Sequence, residues 1–230
     1  MSGSGPIIAV TFALPAESSD FVRLLSEPHH HSETIHGQIG ARSVLVFHTG
    51  VGQRHCQPQI EKFLDSQPAT VLISAGFAGG LNDQLQVGNI FVAENFSNRE
   101  LLGSVGETVF LGKLATTSAV VDSESERARL ATESGAMAVD METEVIAAAC
   151  AARGVPILSM RVISDTPSEP LPAPAEVLFD LERQRTNLLR LTAYLATHPG
   201  KVKELDAFRK RVVRARRSLG AALVDLIGRL

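Results

Sequence analysis

Four short stretches put carboxylates, a serine and glycines where a folded protein can use them: ALPAE ending at Glu17, SAGFAGG from Ser74 to Gly80, VDME from Val139 to Glu142, and ISD ending at Asp165. In open α/β sheets ligands collect at the carboxyl ends of strands, so polar residues just beyond apolar runs are the first candidates for a site. Ala13 to Glu17, Gly76 to Gly80 and Ser164-Asp165 meet that condition. VDME instead opens a helical stretch, METEVIAAAC, whose first backbone N–H groups favour a carboxylate. Carboxylates so placed suit hydroxyl binding or proton transfer, and glycines let backbone come close to a bulky group. Each also has a plainer use. Glu142 alone serves the helix dipole, Asp165 alone caps a helix or closes a turn, Glu17 alone is an exposed first-turn acid, and GFAGG alone is a turn.

The elements that must hold these residues are legible as apolar runs. Strand-like segments occupy 7–12, 43–48, 70–75, 89–93 and 157–163, with helical patterns between several of them, an alternation that predicts an α/β fold. METEVIAAACAAR is a helix ended by Gly154 and Pro156 that feeds the buried strand ILSMRVIS. The four prolines of TPSEPLPAPAE then predict a loop crossing the surface or covering a site. Two helices should follow, at about 175–197 and 201–228, separated by His198, Pro199 and Gly200.

A chain of 230 residues, 44% hydrophobic and 20% charged, can build one sizeable core without disulfides or a structural metal, so a single domain over 1–230 is expected. Net charge −3 and pI near 6.2 carry no whole-molecule signature of a nucleic-acid or membrane binder. Two separated cysteines, Cys56 and Cys150, and a start without a basic apolar leader lead to the expectation of a reducing, cytoplasmic setting. His29, His30 and His31 read as a solvated loop without converging metal partners, so no metal site is expected. Cys150 reads as an inert residue in Ala-rich company.

SAGFAGGLNDQLQVGNI, AVDMETEVIAAACAARGVP and MRVISD, in that order and spacing, resemble the nucleoside phosphorylase/nucleosidase superfamily, and within it the 5′-methylthioadenosine/S-adenosylhomocysteine nucleosidases. The resemblance implies a three-layer α/β/α fold with a central mixed sheet and N-glycosidic bond hydrolysis on a purine nucleoside, with no cofactor. Glu142 would grip the ribose 2′- and 3′-hydroxyls and Met141 would pack on the sugar. Asp165 would protonate or hydrogen-bond purine N7, with Ser164 orienting it, and Glu17 would orient and deprotonate water. Ala13, Val51, Phe77, Ala78, Gly79 and Val121 complete the implied substrate contacts, Val51 near the 5′ group and Val121, with Val120, facing the purine. The family's assembly into dimers or larger oligomers implies a homo-oligomer. Phosphorylases of this fold carry a Gly-Asp and arginines where this chain has ALPAE and Ser74, because phosphate needs fixed cationic donors.

Two features depart from the pattern. Phe77 stands where the nucleosidases have a small hydroxyl residue, and no aromatic base-stacking residue is recognisable between Ala93 and Ala138. Two rivals therefore remain: a phosphate-dependent phosphorylase, including the branch acting on adenosyl-hopanoid lipids, and a nucleoside-binding protein without turnover. Arg54 is the cation nearest to rescuing a phosphate site. The last helix sets Lys201, Lys203, Arg209, Lys210, Arg211, Arg214, Arg216 and Arg217 opposite Leu205, Phe208, Val212, Leu219, Leu223 and Leu226. That basic face is either solvated or suited to a weak contact with an anionic membrane surface.

Overall fold

The alternation of the first strand sets the two faces of the sheet. In the computed structural model, which describes residues 7–67, 69–180, 182, 184 and 188–230, Ile8, Val10 and Phe12 join one hydrophobic cluster while Ala9 joins the other, as a period of two requires. The first half comprises β1 (Ile7–Phe12), α1 (Pro15–Val22), β2 (Ser26–His31), β3 (Thr34–Ile39), β4 (Arg42–His48), α2 (Gln53–Ser66), β5 (Val71–Gly80) and β6 (Ile90–Ala93). There follow α3 (Arg99–Leu102), β7 (Phe110–Gly112), β8 (Leu114–Thr116), α4 (Glu124–Ser134), β9 (Ala138–Asp140), α5 (Thr143–Arg153) and β10 (Ile157–Asp165). The chain closes with α6 (Ala175–Leu178), α7 (Leu188–Thr197) and α8 (Lys201–Arg229).

Ten strands form one mixed sheet in the order β2-β3-β4-β1-β5-β10-β6-β7, with β9 paired to the end of β5 and β8 to β9. On one face, Phe21 of α1 and Leu219, Leu223 and Ile227 of α8 pack on the strands. On the other, Cys56, Ile60 and Phe63 of α2 meet Ile146 and Cys150 of α5. The result is the expected three-layer α/β/α architecture. The central strands β1, β5 and β10 are mutually parallel, so their carboxyl ends share one edge, where Ala13, Gly79 and Asp165 meet.

Three expectations need correction. The glycine-rich stretch is not a turn: β5 runs on to Gly80, because β10 pairs beside it from Ile157↔Leu72 to Asp165↔Gly79 and supplies hydrogen-bond partners along its length. The glycines serve close approach instead, since a Cβ at Gly76 would stand 3.1 Å from Glu17 Oε2. The histidine run is not a loop but the exposed edge strand β2, paired with β3. The helix expected at about 175–197 is two, because Phe179 takes extended backbone and ends α6; part of the interval, 181, 183 and 185–187, lies outside the described residues. The prolines after Asp165 do form an irregular segment, with a tight turn from Thr166 N–H to the Glu169 carbonyl, 3.1 Å.

The inner face of α8 gives the fold a direct test. Leu223 is fully buried against the sheet, so Leu223→Ala should cost about 2–5 kcal/mol through lost transfer energy and the cavity left behind. Denaturant unfolding checks it: an unchanged midpoint would mean that α8 does not pack as described.

Candidate active site

Beneath the parallel strand ends lies a cavity of about 200 Å³. Ala13 and Glu17 line it from the β1–α1 junction, Phe77, Ala78 and Gly79 from β5, Ser164 and Asp165 from β10, and Met141 and Glu142 from the entry to α5. Val51 and Val121 line it from loops, so every residue to which the resemblance gave a catalytic or substrate-contact role comes to one cavity. Thr117, Ala119, Val139 and Asp140, which sequence reasoning did not assign, line it too, together with Val120. Phe77 supplies the only aromatic ring among these lining residues.

A buried ion pair under the floor holds these elements together. Asp140, at the end of β9, accepts from Arg161 Nε at 3.0 Å and from Thr116 Oγ1 at 2.8 Å, and its Oδ2 also takes the Thr143 hydroxyl and, at 3.2 Å, the Thr143 N–H. It thereby satisfies the first backbone N–H of α5 from two residues before the helix cap and sets Met141 and Glu142 at the cavity wall. Arg161 spends its remaining N–H groups on the Ser74 carbonyl (2.9 Å), the Met160 carbonyl (3.2 Å), Ser74 Oγ (2.8 Å) and Thr143 Oγ1 (2.6 Å). An arginine inside the apolar run of MRVIS was the sequence signal for this pair, since a buried charge must be paired.

The three carboxylates sit in different surroundings. Glu17 Oε2 accepts from the Ala13 N–H at 3.3 Å; burial pushes its pKa up to about 7, against the opposing pull of Arg161 and the Ala13 and Leu14 backbone donors. Glu142 Oε1 accepts from the Gly52 N–H at 2.5 Å; burial, and next the charge of Asp140, push its pKa upward. Asp165 takes an ion pair from Arg127 of α4 on one oxygen and the Ser164 hydroxyl at 2.5 Å on the other. Sequence reasoning missed Arg127, although its spacing from Leu130 and Ala131 puts it on the apolar side of its helix.

Several neighbours have structural duties. Gln184 accepts from the Val51 N–H (2.5 Å) and donates to the Val51 carbonyl (3.0 Å), fixing that loop over the cavity. His48 Nε2 lies 2.8 Å from Ser18 Oγ. Cys56 and Cys150 are buried, and desolvation raises both thiols to about 12, far from nucleophilic range. Among the described residues no cluster of three or more His, Cys, Asp or Glu has metal-binding geometry. Among the described residues no lysine or arginine lines the cavity, and Arg54 is exposed.

Such a sheet, with carboxylates gathered at the parallel strand ends, belongs to a known class. A family model described as the phosphorylase superfamily matches residues 7–107 and 99–197, and the chain belongs to that superfamily. Among solved structures, the S-adenosylhomocysteine nucleosidase of Streptococcus pyogenes superposes with TM-score 0.75 at 16% identity, covering 100% of this chain and 99% of its own. The futalosine hydrolase of Helicobacter pylori gives TM-score 0.72 at 17% identity over 98% of each chain. The 5′-methylthioadenosine/S-adenosylhomocysteine nucleosidase of S. pneumoniae gives 0.72 at 17%, covering 96% of this chain and 98% of its own. At such identities the likeness is one of fold. Comparison with curated proteins gave no significant match.

The raised carboxyl of Glu17 has a consequence for stability. A pKa raised from 4.5 to about 7 on folding means that the native state holds an extra proton between those values. Its contribution is therefore fully present below the unfolded value and lost as pH rises through the folded one. The melting temperature should fall from about pH 5 to about pH 8, and Glu17→Gln should gain on wild type at the upper end only. Thermal melts at both pH values check it; an equal offset at both would contradict the raised value.

Proposed function

We propose that this protein hydrolyses the N-glycosidic bond of a purine nucleoside, a 5′-modified adenosine of the methylthioadenosine or adenosylhomocysteine type, without cofactor. The observation that carries the reading is the convergence of Glu17, Glu142 and Asp165 on one cavity, with no cation in its lining among the described residues. Breaking the bond builds positive charge on the ribose, which a carboxylate at the sugar stabilises. Glu142 takes the 2′- and 3′-hydroxyls, with Met141 packed on the sugar. Glu17 orients water and accepts its proton, and a base poised near pH 7 suits that task. Asp165 and Ser164 face the leaving base, between Ala78 and Gly79 on one side and Val120 and Val121 on the other. Ala13, Val51 and Phe77 border the remaining substrate. The working protein is a homo-oligomer in the cytoplasm.

The phosphorylase alternative requires a cationic donor at the cavity. Arg161, the arginine beneath, directs all its N–H groups to protein partners, which favours water as the acceptor. Purified protein should release free base from a panel of methylthioadenosine, adenosylhomocysteine, adenosine and futalosine at a rate indifferent to phosphate. Ribose 1-phosphate among the products would replace hydrolysis by phosphorolysis, and tight nucleoside binding without base release would point to a binding protein.

Glu142→Gln keeps the shape and loses the charge. Its kcat should fall by about 10²-fold or more, the scale of removing one well-placed electrostatic group. Steady-state kinetics on the best substrate checks this, and full activity would remove Glu142 from the ribose.

A further inference from the structure

Behind Asp165 lies an arginine that does not touch the cavity. Arg127 is 1% exposed and absent from the lining. Its Nη2 pairs with Asp165 Oδ2 and its Nη1 donates to the Gly80 carbonyl at 2.7 Å, while its Nε finds no partner among the described residues. Taking a guanidinium out of water is expensive, and a pair of apolar residues would serve stability as well or better. The pair is also given room: a Cβ at Gly79 would stand 3.2 Å from Asp165 Oδ2 and 3.3 Å from Arg127 Nη1. With Ser164 Oγ donating to Oδ1 at 2.5 Å, both oxygens of Asp165 are oriented by donors from behind and beside.

An ionised carboxylate accepts hydrogen bonds and has no proton to give. We propose that Arg127 is a positioning residue for base departure: it aims Asp165 at the purine as a charged acceptor, so that Asp165 pairs with a base N–H instead of delivering a proton. The inference rests on the nucleosidase reading. The step balances as follows: the C1′–N9 pair of electrons moves to the purine, N7 takes a proton from solvent, and Asp165 holds the resulting N7–H. Water adds its oxygen to C1′ and passes its proton to Glu17, which returns it to solvent. Val120 of the cavity lining is 40% exposed, so the cavity opens to the solvent from which N7 takes that proton.

The test compares a purine nucleoside with nitrophenyl riboside, whose leaving group needs no proton. Arg127→Met should lower kcat on the purine substrate by about 10²-fold with KM little changed, and change the nitrophenyl rate by less than about 3-fold. Arg127→Lys keeps the charge without the fork, and should recover at least about a tenth of the purine activity. In an Asp165→Asn background, Arg127→Met should cost less than about 3-fold more, since a residue acting through Asp165 has nothing left to act on. This double variant is charge-neutral and, with Arg127→Lys, carries the comparison if Arg127→Met alone does not fold. Equal losses on both substrates, or an additive loss beside Asp165→Asn, would overturn the proposal. Wild-type protein that released no base would instead overturn the nucleosidase reading. Adenine affinity by calorimetry would then decide the role of the pair, an unchanged Kd in Arg127→Met overturning it.

Discussion

The Asp140–Arg161 ion pair is the interaction on which the candidate site depends. Both groups are almost fully buried, and one pair links β10 and β5 to β9, β8 and the first turn of α5. Removing one partner would leave an uncompensated charge in the interior, at a cost of about 3–5 kcal/mol. Stability alone does not explain such a pair, because apolar residues would pack there as well. Its geometric effect is specific: it fixes the entry to α5, and with it the position of Glu142.

The same pair governs the electrostatics above it. Asp140 pushes the Glu142 carboxyl up, and Arg161 draws the Glu17 carboxyl down against the larger effect of burial. Arg161 also has no N–H left for an outside anion. The floor therefore modulates both glutamates and, with every Arg161 N–H engaged, offers an anion no free donor. Asp165 stands apart from this network, with its own arginine on α4. Two buried arginines thus divide the carboxylates: Arg161 beneath Glu17 and Glu142, Arg127 behind Asp165.

Close packing lets these groups meet. Gly76 and Gly79 bring β5 within van der Waals reach of Glu17, Asp165 and Arg127, distances that any side chain would force apart. Phe77 lines the cavity and packs partly on the core below. The cavity wall is thus also a strand of the central sheet, which gives its residues the rigidity of the scaffold.

Much of this was legible in the sequence. Apolar runs marked the strands at 7–12 and 157–163 because period and β-branching act locally, and Gly154 marked the end of α5 because only a left-handed residue closes that turn, with φ of 65°. The carboxylates were visible as polar residues at strand ends and in motifs that resemble a family. What tertiary structure alone decided depends on partners distant in the chain. SAGFAGG became a strand because β10 lies beside it, some eighty residues later, and SEPHHH became one because β3 offered an edge. Arg127 gives the clearest case. In ESERARLATES its spacing from Leu130 and Ala131 marks only a helix face; that it is sealed against Asp165 while Arg129 is exposed was fixed by how α4 settles on the ends of β5 and β10.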